Sequence, residues 1–320
     1  MRLCWPGDEA AGPTWGAGRL SAPPPPDLTL GLIEGDNALA LDALRATHAG
    51  AIALVYLDPP FFTGRVHEGV VRGGGGVAAF DDRWPDLGAY LGWMRDRLEL
   101  ARELLSPEGS LVVHVDPKTS HYVRVLGDMV FGPEAFASEI VWRYRRWPSK
   151  ARNFQRVHDT LLRFVREPRG RPRFRQLFEP LAPSTQAVWR GRRQRALVDG
   201  EGRRTRSSMT DEPSPGTPLG DVWDIGIVAP SGRERTGYPT QKPEALLERL
   251  LLACSDPGDW VLDPTLGSGT TLAVAARLGR RALGVDESGA AIAVARARLG
   301  ALGLCPWEAR AARAGRRAAL

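Results

Sequence analysis

The stretch Trp260-Val-Leu-Asp-Pro-Thr-Leu-Gly-Ser-Gly-Thr-Thr271 predicts an apolar strand, a tight glycine turn and a helix over Leu272 to Leu278. The glycines allow a ligand to approach the backbone closely. A Walker phosphate loop needs Gly-Lys before Ser or Thr, which is absent, and a dinucleotide fingerprint needs a third glycine where Leu272 stands. The remaining ligand class is an adenosine-type molecule with a cationic amino acid end, which Asp263 is placed to meet. A glycine turn without a ligand is the alternative.

Short apolar runs and amphipathic helices alternate along the rest of the chain. Helical stripes occupy Leu87 to Leu105 and Leu246 to Cys254. This alternation predicts an α/β fold class with a parallel sheet covered on both faces. Its ligand crevice is expected at the carboxyl ends of the strands, where Asp286 can bind ribose hydroxyls. The candidate strands are 28–34, 51–57, 110–115, 260–262 and 281–285, and four of them stop at or near an aspartate: Asp58, Asp116, Asp263 and Asp286.

A second motif, Leu54-Val-Tyr-Leu-Asp-Pro-Pro-Phe61, follows one of these strands. The two prolines make the corner after Asp58 rigid, because each fixes its own φ and restricts the preceding residue. The exocyclic amine of adenine or cytosine is a poor nucleophile, since its lone pair is delocalised into the ring. A carboxylate and a backbone carbonyl that accept its two hydrogens would localise that lone pair, and Phe61 could stack on an extruded base. A simple turn is the alternative for this motif alone.

Positive charge is concentrated in one region of the chain. From Arg143 to Arg206 there are 19 Lys and Arg against 5 Asp and Glu, a local net charge of +14 in a chain whose total is +6. Arginine neutralises phosphates, and its guanidinium also recognises guanine edges. The distribution favours nucleic acid as a partner over a solvated arginine-rich loop.

Several protein classes are disfavoured by composition. No run approaches the roughly 20 apolar residues that span a bilayer, and the N-terminus lacks a secretory pattern. We therefore expect no membrane partner and a cytoplasmic location. The cysteines Cys4, Cys254 and Cys305 form no C-x-x-C pair, and the 5 histidines lack ligand spacing, so no disulfide framework and no metal are expected.

Together the two motifs resemble the DNA amino-methyltransferases, the N6-adenine and N4-cytosine enzymes. That family carries Asp/Ser/Asn-Pro-Pro-Tyr/Phe/Trp as its catalytic signature and a cofactor signature close to Asp-Pro-Phe-x-Gly-Ser-Gly. The order here, catalytic motif first, resembles the circularly permuted beta class, which includes type III modification subunits and solitary enzymes. Gly237-Tyr-Pro-Thr-Gln-Lys-Pro243 and Ile33-Glu-Gly-Asp-Asn37 are further matches, so the resemblance covers about residues 28–300.

The resemblance implies a Rossmann-like, seven-stranded methyltransferase sheet in which the cofactor and catalytic strands are neighbours. It implies S-adenosyl-L-methionine as the cofactor. In the catalytic motif Asp58-Pro59-Pro60-Phe61, the Asp58 carboxylate and the Pro59 carbonyl would hold the target amine while Phe61 stacks on the base. By the same resemblance, Asp36 lies near the adenine ring, Asp286 binds the ribose, and Thr240 and Lys242 close the pocket. The methionine end is lined by Asp263, Gly267 and Gly269, and Pro264, Thr265 and Thr270 are further cofactor-binding residues of the same motif.

Two residues depart from the family pattern. Thr265 stands where the family usually has phenylalanine, which removes an aromatic wall from the cofactor pocket. Phe61 replaces the commoner tyrosine, so stacking is kept but a hydroxyl contact is lost.

The resemblance also implies a domain organisation. Residues 28–165 and 223–304 would form the catalytic and cofactor-binding halves of one methyltransferase domain, separated by a basic target-recognition insertion at 166–222. Residues 1–27 are expected to form a disordered leader, 305–320 a basic tail, and 63–82 a mobile loop.

The function implied is site-specific methylation of adenine N6 in double-stranded DNA, because Asp at position 58 favours adenine in the family. Cytosine-N4 methylation, RNA methylation and a non-catalytic DNA-binding protein with this fold are the alternatives. Beta-class relatives are often dimers, so a homodimer is one alternative, but nothing in the sequence decides the oligomeric state. The sequence does not identify a restriction subunit that would act with the chain.

Overall fold

The computed structural model describes residues 15–70, 76–148, 150 and 152–314 and shows a mixed α/β chain. Its strands are β1 (Gly18–Leu20), β2 (Leu30–Glu34), β3 (Ile52–Leu57), β4 (Val66–Val70), β5 (Gly76–Asp81), β6 (Leu105–Val115), β7 (Phe136–Arg143), β8 (His158–Val165), β9 (Phe178–Glu179), β10 (Arg192–Val198), β11 (Arg204–Pro213), β12 (Thr217–Pro218), β13 (Val222–Asp224), β14 (Trp260–Asp263), β15 (Arg281–Asp286) and β16 (Trp307–Arg313). Its α-helices are α1 (Asn37–His48), α2 (Leu87–Leu104), α3 (Ser120–Phe131), α4 (Pro183–Trp189), α5 (Glu244–Cys254), α6 (Thr270–Arg277) and α7 (Gly289–Ala301), and a 3-10 turn spans Pro133–Ala135.

Ten strands form the central sheet, in the order β1-β16-β2-β15-β14-β3-β6-β8-β7-β13. Every neighbouring pair from β16 to β6 is parallel, whereas β8 runs antiparallel to both β6 and β7. Strand β3, which precedes the predicted catalytic motif, and strand β14, which precedes the predicted cofactor motif, lie side by side, with Val55 opposite Leu262. The predicted adjacency of these strands is therefore confirmed. Beyond this pair the chain continues to β6 on one side and to β15 on the other, which makes their carboxyl ends the switch point where ligands bind.

Helices cover the parallel part of the sheet. All six residues of β3 are buried, as expected for a strand with helices on both faces. Helix α2 packs between α1 and α3, and α6 packs between α5 and α7. The predicted stripe of α2 enters the core through Leu91, Met94 and Leu98, and burying each such side chain contributes about 1.5–3 kcal/mol.

The sheet is wider than the predicted seven strands, and the additional strands lie at its edges. β7 and β8 were not predicted because polar residues interrupt their apolar patterns. Asp159 and Arg163 lie within β8, where the Arg163 guanidinium is buried and donates to Ser110 Oγ at 3.2 Å and to the Arg173 carbonyl at 3.1 Å.

The expected disordered leader and basic tail are wrong where the structure describes them. Residues 18–20 form β1 and residues 307–313 form β16, which pair with each other while β16 also extends the sheet beside β2. In β16 the inward residues Trp307, Ala309 and Ala311 alternate with charged outward residues, and alanine is too weak a strand former to reveal that pattern. Residues 1–14 and 315–320 lie outside the described residues.

The expected mobile loop at 63–82 contains an antiparallel hairpin, β4 and β5, with Val66 opposite Asp81. Most of the glycines that suggested a loop fall within residues 71–75, which lie outside the described part of the chain.

The chain divides into two units, Met1–Phe174 with Asp221–Leu320, and Arg175–Gly220. The smaller unit contains α4, the hairpin of β10 and β11, and the short pair β9 and β12. Every residue of β10 is exposed, so this unit has little core of its own. Its role in target recognition stays a prediction.

Within residues 15–70, 76–148, 150 and 152–314, none of the helices combines the length and apolar character that a bilayer crossing requires. The same residues contain no cluster of three or more His, Cys, Asp or Glu suited to a metal ion.

Candidate active site

A cavity at the carboxyl ends of β3 and β14 contains both sequence motifs. Asp58 and Phe61 from the first motif and Asp263 and Thr265 from the second line it together. The motifs are about two hundred residues apart in sequence, and they meet because their strands are neighbours in the sheet. This proximity is what a reaction between a bound cofactor and a held substrate requires.

The two oxygens of the Asp58 carboxylate differ in their contacts. Oδ2 accepts a hydrogen bond from Lys242 Nζ, and both side chains are largely buried, 17% and 11% exposed. Oδ1 is buried and has no hydrogen-bond partner among the described residues. Lys242 Nζ also lies 5.2 Å from the centre of the Phe61 ring, within range of a cation–π contact. One oxygen is thus held in place by Lys242, while the other has an unfilled capacity to accept a hydrogen bond.

Thr265 joins the two motifs directly. The backbone N–H of Asp58 donates to Thr265 Oγ1 at 2.8 Å, and the Thr265 backbone N–H donates to Asp263 Oδ1 at 3.0 Å. A phenylalanine, which the family usually has here, has no oxygen for the first of these bonds. Thr265 therefore lacks the aromatic ring of the family's phenylalanine, but it supplies a hydrogen bond that holds the backbone at Asp58.

We expect Thr265→Val to lower the kcat of methylation about three- to tenfold, because one neutral hydrogen bond contributes about 0.5–1.5 kcal/mol. The measurement is steady-state methylation of DNA together with calorimetric binding of S-adenosylmethionine. Thr265→Ser, which keeps the hydroxyl, should retain the wild-type rate. Equal rates for the valine and wild-type proteins would contradict this role.

A buried histidine lies behind Asp58. His114 of β6 is fully buried, with Nδ1 3.6 Å from Asp58 Oδ1 and Nε2 3.5 Å from Asp159 Oδ2. The Tyr56 hydroxyl is hydrogen-bonded to His114 Nδ1 at 2.8 Å, and the Tyr144 hydroxyl donates to Asp159 Oδ1 at 3.0 Å. This network limits the rotation of the Asp58 side chain from the protein side of the cavity.

The segment after Asp58 is held by a second carboxylate, Asp82. This fully buried side chain accepts from the backbone N–H groups of Phe61, Phe62 and Thr63 at 3.2, 2.9 and 2.8 Å. It also accepts from the Thr63 hydroxyl at 2.6 Å and from the indole N–H of Trp84 at 3.1 Å. Phe62 has a φ of 58°, a left-handed conformation that a residue with a side chain adopts at a cost. Asp82 therefore maintains the shape of the corner that presents Phe61.

The turn after β14 uses glycine where the backbone conformation and close packing require it. Gly267 and Gly269 have φ values of 52° and 72°, and Gly269 is the N-cap of α6. A Cβ at Gly269 would lie 2.8 Å from Ala295 Cβ, so no larger residue fits. The Gly267 N–H donates to Asp286 Oδ2 at 2.8 Å, which ties the turn to the end of β15.

The segment Gly237 to Pro243, which also resembles the family pattern, lies against this turn. Thr240 has a φ of 58°, and the carbonyl of Lys242 accepts from Thr270 Oγ1 at 3.1 Å. The Tyr238 ring lies 3.1 Å from where a Cβ of Gly267 would be. The segment thus brings Lys242 to Asp58 and closes one side of the cavity.

Two aspartates in the cavity have raised pKa values. Burial raises the pKa of Asp263 to about 7, against the opposing effect of the hydrogen bond from Thr271 Oγ1. Burial also raises the pKa of Asp286 to about 6, against hydrogen bonds from the Ser288 and Gly267 N–H groups. Both carboxylates would be stabilised by a nearby cation or by hydroxyl donors.

These residues fit the S-adenosylmethionine that the resemblance implies. The cavity offers buried carboxylates for a cationic amine and ribose hydroxyls, and its lining includes Gly267 and Ser268 of the glycine turn. Asp263 and Asp286 carry raised pKa values, which a positively charged ligand would lower.

We expect S-adenosylmethionine to bind about tenfold more weakly at pH 5.5 than at pH 7.5. The pKa values of both aspartates are higher in the folded protein than in the unfolded chain. Folding stability from these groups is therefore largest at low pH and falls as they ionise between about pH 4 and 7. A bound cation favours the ionised forms, so the gain in melting temperature on binding should be larger at pH 7.5. Calorimetry at both pH values measures the affinity, and Asp263→Asn, which removes the carboxylate with the higher pKa, should reduce the dependence. An affinity independent of pH would contradict it.

Nearly all residues predicted for the site line this cavity, and their roles stay predictions. Gly269 does not line it and instead allows the turn to pack against α7. Asp36 is the N-cap of α1, where it accepts from the Leu39 N–H and pairs with Arg97 at 3.2 Å. The predicted residues that line the cavity are Asp36, Asp58, Pro59, Pro60, Phe61, Thr240, Lys242, Asp263, Pro264, Thr265, Gly267, Thr270 and Asp286.

Sequence reasoning missed His114, Asp159 and Asp82. A histidine in the apolar run Leu111 to Val115 and an aspartate inside the apolar strand β8 were the available signals, because polar residues in buried strands need partners. Asp82 gave no signal, since it follows an unpredicted hairpin.

Comparison with known proteins agrees with this geometry. The N6/N4 methyltransferase family model, described as DNA methylase, matches residues 52–296. Type II methyltransferase M.HpaI of Haemophilus parainfluenzae is 29% identical over 260 residues, covering 81% of this chain and 72% of the relative. DNA adenine methyltransferase YhdJ of Escherichia coli (strain K12) is 28% identical over 256 residues, covering 80% of this chain and 77% of the relative.

Solved structures share the fold at lower identity. PvuII DNA methyltransferase (cytosine-N4-specific) superposes with a TM-score of 0.56 at 17% identity, over 85% of this chain and 86% of that one. TTHA0409 of Thermus thermophilus, solved with S-adenosyl-L-methionine, gives a TM-score of 0.52 at 21% identity, over 87% of this chain and 97% of that one. With the match over residues 52–296, the chain belongs to the N6/N4 family of DNA methylases, which use S-adenosylmethionine as the methyl donor.

Proposed function

We propose that this chain transfers a methyl group from S-adenosylmethionine to the N6 amine of adenine at a specific site in double-stranded DNA. The observation that carries the proposal is Asp58 Oδ1, a buried acceptor without a partner among the described residues, in the cavity that also holds the glycine turn.

The target amine would be held by two acceptors. Asp58 Oδ1 accepts one N–H and the Pro59 carbonyl accepts the other, which localises the nitrogen lone pair, while Phe61 stacks on the flipped base. When bound, S-adenosylmethionine supplies an electrophilic methyl group. Positive charge that develops on the amine is stabilised by the Asp58 carboxylate, and Oδ1 is positioned to take the proton that the amine must release. No covalent enzyme intermediate is required.

The other residues position these groups. Lys242 and Thr265 hold the Asp58 carboxylate and backbone, and Asp82 holds the Phe61 segment. For the cofactor, we assign Asp263 and the turn at Gly267 to the methionine end, Asp286 to the ribose and Asp36 to the adenine ring, following the residue-by-residue resemblance. The hydrogen bond from the Gly267 N–H to Asp286 supports this assignment, because it brings the turn and the predicted ribose-binding carboxylate together.

Adenine is favoured over cytosine by two observations. Asp rather than Ser stands at position 58, and the relative YhdJ is named a DNA adenine methyltransferase. PvuII DNA methyltransferase, named cytosine-N4-specific, resembles the chain at the level of the fold only. Cytosine-N4 methylation is the second candidate.

Sequencing of DNA from a host with and without the gene, by a method that detects modified adenine and modified cytosine, tests the proposal. We expect N6-methyladenine at one short sequence, present only with the gene and absent when Asp58→Ala is expressed. N4-methylcytosine in its place would overturn the adenine assignment. Unmodified DNA would favour RNA as the substrate or a non-catalytic DNA-binding role. Sedimentation tests whether the chain forms a homodimer, as beta-class relatives often do.

A further inference from the structure

The segment between β7 and β8, residues 144–157, presents two aromatic side chains to solvent. Trp147 is 91% exposed and Phe154 is 98% exposed, the highest values among the large apolar side chains that the structure describes. Aromatic rings of this size bury about 150–250 Å² when they find a partner. We call this segment the aromatic loop.

Charge indicates the kind of partner. Within residues 144–157 there is no Asp or Glu. A loop with basic residues and no acidic ones suits the negatively charged phosphates of a nucleic acid, and exposed aromatic rings can stack on its bases. The basic residues of the loop are Arg145, Arg146, Lys150, Arg152 and Arg156.

The base of the aromatic loop is fixed to the catalytic region. At one end the Tyr144 hydroxyl donates to Asp159, which lies 3.5 Å from His114 behind Asp58. At the other end Arg156 pairs with the buried Asp116, which follows β6, the neighbour of β3. Between them, Gln155 Nε2 donates to the Trp147 carbonyl at 2.8 Å. The exposed rings therefore project from a stem anchored near the catalytic carboxylate.

We propose that Trp147 and Phe154 enter the base stack of DNA beside the target and fill the space that the flipped base leaves. The loop's other basic residues hold the flanking phosphates, whereas Arg156 anchors the stem through Asp116. This rests on the proposed function, since a gap in the base stack arises where the enzyme extrudes the target base from the duplex. Inserted apolar and aromatic side chains unstack neighbouring bases, and the cost of flipping is lower for a mismatched base.

The test compares two DNA substrates that carry the site found by sequencing, one fully paired and one with the target base mismatched. In single-turnover methylation, Trp147→Ala with Phe154→Ala should lower the rate about tenfold or more on paired DNA, because each base–aromatic stack contributes substantially to the complex. On mismatched DNA the same variant should stay within about threefold of the wild type. Trp147→Phe with Phe154→Tyr should keep both rates.

Three outcomes would overturn the proposal. They are equal rate losses on both substrates, no loss on paired DNA, and a variant that sediments as a smaller species than the wild type, which would assign the rings to a second copy of the chain. Leu302→Ala, at an exposed apolar residue that ends α7, serves as the control and should leave both rates unchanged. The identity of the modified base is read from the wild-type product, so an error in the adenine assignment is distinguishable from failure of the wedge.

Discussion

Asp58→Ala should lower the rate of DNA methylation about 1000-fold or more while S-adenosylmethionine still binds within about tenfold of the wild-type affinity. The alanine removes the acceptor for one amine hydrogen and the negative charge that offsets positive charge on the nitrogen. The glycine turn at Gly267 and the carboxylates of Asp263 and Asp286 are untouched. Single-turnover methylation and calorimetric cofactor titration provide the two measurements.

In Asp58→Ala, the largely buried Lys242 loses its carboxylate partner. An unpaired buried ammonium is costly and repels a sulfonium cofactor. Asp58→Ala combined with Lys242→Met removes this charge, and it should restore any loss of cofactor affinity without restoring methylation. Asp58→Asn keeps an acceptor oxygen and should show an intermediate rate.

Asp128→Asn, which removes a carboxylate paired with Arg124 on helix α3, is the matched control and should methylate normally. Ordinary turnover by Asp58→Ala would refute the catalytic role of this residue. A cofactor affinity that stays lost in the variant without Lys242 would instead place Asp58 in the cofactor site.

The proximity of the two motifs could be predicted from the sequence because the signals involved are local. Apolar runs that end in Asp58 and Asp263 identify parallel strands, and parallel strands that carry ligand residues meet at one edge of a sheet. The neighbouring positions of β3 and β14 follow the order expected from the resemblance. The stripes of α2 and α5 were likewise sufficient to predict core helices, because a 3.6-residue period is a local property.

Long-range pairing was not predictable in the same way. β1 and β16 pair over a large sequence separation, and the backbone N–H of Arg310 donates to Ser21 Oγ, which lies 289 positions earlier. Neither strand has a strong apolar pattern. His114 and Asp159 come from two different strands, and their proximity depends on the antiparallel register of β6 and β8, in which His114 stands opposite Leu161. A single sequence contains no signal for such a register when the strand itself is not predicted.

Asp82→Asn should both destabilise the protein and impair methylation. In the wild type five donors converge on the carboxylate, three of them backbone N–H groups of the catalytic segment. The amide has one acceptor oxygen, and its NH₂ group faces donors. Leaving buried donors unsatisfied costs about 1–3 kcal/mol, so denaturant unfolding should show a loss of about 2–4 kcal/mol for the several bonds affected.

The same substitution separates stability from positioning. Because Phe62 keeps its left-handed conformation through contacts with Asp82, release of the segment should misplace Phe61 and lower kcat about thirtyfold even at temperatures where the variant is fully folded. Asp81→Asn, at the adjacent exposed carboxylate that pairs with Arg83, should change the unfolding midpoint far less. Unchanged kcat in folded Asp82→Asn would show that the carboxylate serves stability alone. A loss of kcat with unchanged cofactor affinity would place its effect on the base-binding side of the cavity, because the segment it holds carries Phe61 and not the glycine turn.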